Sequence, residues 1–213
     1  MLDNWLSKTK IKEKVQKVVE KHFYGKLTAN QSTLLGLIFG LLSALSIALT
    51  PYSSFIVELI ILSVILTIIS FMCDVIDGAL ARVEEPTMFG GILDIFCDRT
   101  VEISIIIALV STDPENLVWP GLFSLGAMIL CISMFLLIGS SLKEEEMKES
   151  EKIIYYRKGL MERSETLILL ILMITLIGIR GILLWMFALL VFLTALLRLK
   201  DAYSLFKHWE QKN

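Results

Sequence analysis

Five acids stand in stretches otherwise too apolar to hold them: Asp74, Asp77, Asp94, Asp98 and Glu102. An acid at the middle of a bilayer costs about 2.5–3.5 kcal/mol on insertion scales, so such residues are candidates for function. Asp74 and Asp77 are three residues apart, and Asp94 and Asp98 are four apart. Each pair therefore shares one face of a helix. Pro86 lies between the pairs, 9 and 8 residues from Asp77 and Asp94 and 12 from both Asp74 and Asp98. In an antiparallel hairpin, equal distance from the turn means similar depth. The four carboxylates can then face one another in two tiers, about 5–6 Å apart along the helix axes. Gathered anions repel unless cations sit among them. All-oxygen ligation suits Mg²⁺, Mn²⁺ or Ca²⁺, and with no histidine near, zinc is a poor fit.

Small residues border this cluster. Gly78 and Ala81 lie one turn beyond Asp74 and Asp77, and Gly90 precedes Asp94 by four. They describe either a close-packed helix pair or a groove where a ligand reaches backbone beside the metals. Arg82, at the mouth, could hold a phosphate or serve as a basic anchor at the membrane surface.

The elements that carry these residues are membrane helices. Of 213 residues, 55% are apolar and 20% charged, and the mean hydropathy is +0.72. Soluble domains are less apolar. The net charge of −2 offers nothing to a nucleic acid. Long weakly charged runs predict spans at Ser32–Thr50, Phe55–Met72, Phe89–Val110, Val118–Leu142, Thr166–Ile179 and Gly181–Leu197. The fifth is short and is expected to start nearer Gly159. Eighteen of the 20 Lys and Arg residues fall before Ser32, in the loops around Pro86 and Lys148, or after Leu197. The positive-inside rule then puts both termini and the acid-bearing end in the cytosol.

Ahead of the spans, Ile11, Val15, Val18, Val19 and His22 share a helical face among lysines. This predicts an amphipathic helix on the cytosolic leaflet. The expected organisation is a cytosolic helix at 1–26, a membrane domain at 27–205 and a cytosolic tail at 206–213. No cleavable signal peptide is expected. Cys73, Cys97 and Cys131 are odd in number, lack CxxC spacing and fit buried small hydrophobes. Paired acids in membrane helices also occur in ion pathways, so a divalent-cation transporter or channel is the alternative from another class.

The stretch from Asp74-Val-Ile-Asp77-Gly78-Ala-Leu-Ala81-Arg82 to Gly90-Gly-Ile-Leu-Asp94-Ile-Phe-Cys-Asp98 resembles the signature of the CDP-alcohol phosphatidyltransferases. All eight fixed positions of that pattern are present within 25 residues: four Asp, two Gly, Ala81 and Arg82. Leu27-Thr-Ala-Asn30-Gln-Ser-Thr33 is similar to the family's approach to its first helix, with Ala29 where proline is common. The family's usual six helices, cytosolic termini and N-terminal amphipathic helix extend the resemblance over essentially the whole chain.

The resemblance implies an enzyme that moves a phosphatidyl group from a CDP-linked lipid to the hydroxyl of a small polar alcohol, releasing CMP. It implies two divalent ions, Mg²⁺ or Mn²⁺, held by Asp74, Asp77, Asp94 and Asp98, with Asp98 also the general base. It assigns the nucleotide site to Asn30, Thr33, Asp74, Asp77, Gly78, Ala81, Arg82 and Gly90, and it implies a homodimer. Arg99, Glu102 and the Gly159–Glu165 segment resemble the subgroup whose acceptor is inositol phosphate. Lys143, Arg157 and Arg163 could bind such a phosphorylated acceptor. The arginines usual at the end of the fourth helix are replaced here by Gly139-Ser-Ser-Leu-Lys143 followed by acids. Glycerol phosphate, a free polyol and amino alcohols such as serine therefore stay open.

Overall fold

In a computed structural model of the chain, residues 11–141, 161 and 163–210 are described. Among them the fold is entirely helical. The helices are α1 (Ile11–His22), α2 (Ala29–Leu49), α3 (Ile56–Glu84), α4 (Met88–Ser111), α5 (Pro114–Ser141), α6 (Arg163–Thr175) and α7 (Arg180–Glu210). Short 3-10 turns at Thr50–Tyr52 and Ile177–Ile179 follow α2 and α6.

Four segments are long and apolar enough to cross a membrane: Ala29–Tyr52, Ile56–Glu84, Pro114–Ser141 and Ile177–Ser204. Helix α4 has the length, at 24 residues, but carries Asp94, Asp98, Arg99 and Glu102. At 13 residues α6 reaches only about 20 Å at 1.5 Å per residue. The helices outrun the apolar spans. Helix α3 runs past the span end at Met72 through both of its aspartates to Glu84, as their shared helix face requires. Helix α7 continues to Glu210, so residues 206–210 of the expected tail are helical. Backbone hydrogen bonds inside a helix are already satisfied, so loss of hydropathy alone does not end one.

The outer surface is apolar, and small polar residues line one interior seam. Ile61, Leu62, Ile65, Ile68 and Met72 on α3, and Phe123, Leu130 and Leu137 on α5, are all exposed. That suits side chains that face lipid tails. The α2–α3 seam uses small polar residues instead. Ser32 Oγ donates to Cys73 O at 2.8 Å, Ser70 Oγ to Gly36 O at 2.7 Å, and Ser43 Oγ to Ser63 O at 2.8 Å. Residues 32, 36, 40 and 43 recur every three or four positions and form one stripe along α2. A Cβ on Gly40 would come within 2.3 Å of the Val101 side chain, so this stripe also lets α4 approach α2. Between membrane helices such close approach replaces the hydrophobic drive that water would supply. The apolar core gathers Ile105, Leu109, Leu170, Met173, Leu184 and Phe187 from α4, α6 and α7.

Two caps fix the end that carries the aspartates. Thr28 and Gln31 form a reciprocal capping box at the start of α2. Glu84, at the end of α3, accepts from Ala29 N at 3.1 Å and sets its negative charge on the positive end of α2. The α3–α4 turn is three residues long. Glu85 takes φ 71°, and Thr87 caps α4 by accepting from Gly90 N at 3.0 Å. The N-terminal helix departs from the sequence expectation. Val19 is buried in a small cluster with Ala79 and Leu80 of α3, whereas Val18 is exposed. Residues expected to share one membrane face thus meet different surroundings, and α1 rests on protein as well.

Candidate active site

Asp74 lies ten residues before the end of α3, and Asp98 ten residues after the start of α4. The short turn holds the helices antiparallel, so the two carboxylates meet. A single nitrogen of Arg163, at the start of α6, pairs with Oδ1 of both. Asp94 joins them: one carboxylate oxygen from each of Asp74, Asp94 and Asp98 lies within 4.8 Å of the others. Those separations suit oxygens sharing a divalent cation. Oδ1 of Asp94 is buried and accepts no hydrogen bond from the described residues. An orphaned buried carboxylate oxygen is costly, and this one completes an all-oxygen donor set that fits a divalent ion.

Asp77 is placed differently. It is 6% exposed, and Thr33 Oγ1 donates to its Oδ2 at 2.7 Å. Thr33, expected at the nucleotide, is itself buried. Its hydroxyl also lies 3.1 Å from Ala29 O. Its visible task is to aim Asp77. The hydroxyl comes from just past the first turn of α2, where the capping box and Glu84 hold the backbone.

The other nucleotide candidates border the cluster. Asn30 lies against Gly90: a Cβ built on Gly90 would stand 3.2 Å from Asn30 Oδ1 and 2.9 Å from Thr87 Oγ1. A side chain at 90 would press on the Thr87 cap and crowd Asn30, so glycine leaves both side chains in place. Gly78 is unobstructed, with only Arg82 Nη1 at 3.8 Å from its added Cβ, and Ala81 is half-buried. Arg82 is exposed, and its Nε donates to Gln16 Oε1 at 3.1 Å.

Of the three acceptor candidates, Lys143 and Arg157 lie outside the described residues. Arg163 is not a remote anchor but lies among the carboxylates, with its guanidinium carbon 5.9 Å from the centroid of the Phe71 ring. Glu102 is buried and paired with Arg99, apart from the three converging aspartates. A cleft of about 440 Å³ lined by Thr50, Asp113, Asn116 and Arg180 lies at the opposite end of the bundle. No three converging ligands occur there among the described residues.

The comparisons with known proteins bear on the family and the fold. Residues 26–195 match the family model of the CDP-alcohol phosphatidyltransferase domain. The chain belongs to the CDP-alcohol phosphatidyltransferase family. It is an integral-membrane phosphotransferase of phospholipid biosynthesis, which decides between the enzyme and ion-pathway readings of the paired acids. Inner membrane protein YnjF of Escherichia coli (strain K12) is 29% identical over 149 residues, covering 68% of each chain. The fold is that of Mycobacterium tuberculosis phosphatidylinositol phosphate synthase (PgsA1). The PgsA1 structure with bound CDP-DAG superposes with a TM-score of 0.67 at 20% identity, over 89% of this chain and 93% of that one. The PgsA1 structure with manganese and citrate gives the same score and identity over 89% and 88%.

The sequence reading missed the Ser32–Gly36–Gly40–Ser43 stripe and the Thr33–Asp77 bond. The stripe was visible as small residues at helical spacing. The bond was not, because nothing in one helix says which hydroxyl meets it from another.

Proposed function

We propose that the protein transfers a phosphatidyl group, or its ether-linked archaetidyl counterpart, from a CDP-linked lipid to the hydroxyl of a small polar alcohol. CMP is released. The observation that carries this reading is the meeting of Asp74, Asp94 and Asp98 within 4.8 Å, with Asp94 Oδ1 unpartnered among the described residues. In this reading the chain crosses the bilayer six times, with both termini and the aspartates on the cytosolic side. The lipid tails then stay among the helices while the nucleotide faces water.

Asp74, Asp77, Asp94 and Asp98 would hold two divalent ions, Mg²⁺ or Mn²⁺. When bound, they supply charge neutralisation for the diphosphate and the departing CMP. Thr33 keeps Asp77 aimed. Asn30, Gly78, Ala81, Arg82 and Gly90 shape the cytidine diphosphate site. The acceptor hydroxyl attacks the lipid-side phosphorus and forms a new P–O bond. The bond from that phosphorus to the bridging oxygen breaks, and CMP leaves with the electron pair. Asp98 takes the acceptor's proton. The product lipid diffuses in the membrane, and the chain acts as a homodimer.

Arg163 beside Asp74 and Asp98 favours an anionic acceptor, inositol phosphate or glycerol phosphate, because a guanidinium binds phosphate well. Serine or another amino alcohol is the second candidate. Purified protein with Mn²⁺ and CDP-diacylglycerol, given inositol phosphate, glycerol phosphate, serine, inositol or ethanolamine in separate wells, distinguishes them. Release of CMP with one phosphorylated alcohol is expected. Release only with serine would overturn the anionic assignment while keeping the reaction class.

A further inference from the structure

The N-terminal helix reaches the donor side of the site through one residue. Gln16, halfway along α1, bonds to α3 twice. Its Nε2 donates to Ala79 O at 3.1 Å, and its Oε1 accepts from Arg82 Nε at 3.1 Å. A carbonyl only accepts and a guanidinium only donates, so these partners fix which way the amide points. The same Nε2 also reaches Glu20 Oε1 at 3.0 Å, one turn along α1. Val19, one residue short of a turn beyond Gln16, is 3% exposed against Ala79 and Leu80 and pins the helix in place.

Arg82 itself is exposed, so a long flexible side chain would otherwise sample many rotamers. With Nε held by Gln16 and Nη1 3.8 Å from where a Gly78 Cβ would stand, the guanidinium lies back over the Gly78 surface. No bond to Nη1 or Nη2 is found among the described residues. Those donors stay available to a phosphate.

We propose that Gln16 is a positioning residue for the donor site: it orients the Arg82 guanidinium toward the diphosphate of the CDP-linked lipid, making α1 a working part of that site. The inference rests on the donor-site reading of Arg82. Only an amide serves both partners. Methionine, of similar length, makes neither bond. Glutamate keeps the bond to Arg82 but sets an anion against the Ala79 carbonyl.

The test is the affinity of the full-length protein for CDP-diacylglycerol in detergent with saturating Mn²⁺. Affinity for Mn²⁺ alone serves as the control. Gln16→Met is expected to weaken CDP-diacylglycerol binding about threefold to tenfold, the range one hydrogen bond spans. Mn²⁺ affinity should not change, whereas a general loosening of the fold would move both. Gln16→Glu should restore most of the loss. In an Arg82→Gln background, Gln16→Met should do nothing further. Unchanged binding in Gln16→Met, with Arg82→Gln still weak, would overturn the role of Gln16 and leave the donor-site reading standing. A full additional loss on top of Arg82→Gln would also overturn it, because α1 would then act elsewhere. Unchanged binding in Arg82→Gln would remove the donor-site reading of Arg82 and this inference with it.

Discussion

Both ends of the bundle bury charge, and they treat it in opposite ways. At one end Arg180 is 5% exposed. Its Nε donates to Met173 O at 2.8 Å, Nη1 to Thr112 Oγ1 at 2.6 Å, and Nη2 to Ile174 O at 3.2 Å. The carbonyls belong to the last turn of α6, where a helix has unpaired acceptors and the negative end of its dipole. This charge is consumed by the fold. At the other end three carboxylates converge, two of them sharing one guanidinium, and one buried oxygen of the third has no partner among the described residues. This charge is held ready for something else. Buried charge by itself does not mark a working site; buried charge left under-satisfied by the protein does.

Substitutions at the two ends should therefore fail differently. The largest effect is expected for Asp98→Asn. Turnover should fall about 10²–10⁴-fold, the range for loss of a general base. CDP-diacylglycerol binding should fall far less, and wild-type turnover would remove Asp98 from that role. Asp74→Ala should weaken Mn²⁺ binding itself, read by calorimetry. Arg180→Gln, at the opposite end, should leave Mn²⁺ affinity alone and cost about 1–3 kcal/mol of stability through its stranded carbonyls. A changed Mn²⁺ affinity there would break the contrast between the ends. Gly40→Ala should cost about 1–3 kcal/mol by overpacking against Val101, seen as a lower Tm in detergent. The smallest effect is expected for Thr33→Val. It keeps the shape but not the donor, and should weaken Mn²⁺ binding several-fold with little change in Tm.

The site was more legible in the sequence than the fold around it. Asp74, Asp94 and Asp98 could be placed together because helix periodicity and distance from Pro86 are local arithmetic. The same arithmetic put Asp77 in the cluster, but not the Thr33 hydroxyl that holds it, which comes from 44 residues away. Arg163 was visible as a cation of the right sign and not as a partner of Asp74 and Asp98, because a long side chain's reach depends on where α6 starts. The apolar spans ending at Met72 and Leu197 stop short of the ends of α3 and α7 for another reason. Hydropathy reports where apolar surface ends, whereas a helix ends where its backbone finds a cap. The docking of Val19 on α3 was hidden because burial against a protein and burial in a membrane surface ask for the same side chains.

The central claim is that the converging aspartates form a metal-dependent centre that releases CMP. The most direct test follows CMP release from CDP-diacylglycerol as Mn²⁺ is titrated, with the accepted alcohol present, in the wild type and in Asp94→Asn. The account predicts no release without metal, saturable release in the wild type, and a large loss in Asp94→Asn that high Mn²⁺ only partly recovers. Metal-independent release, or an Asp94→Asn titration that overlays the wild type, would contradict it.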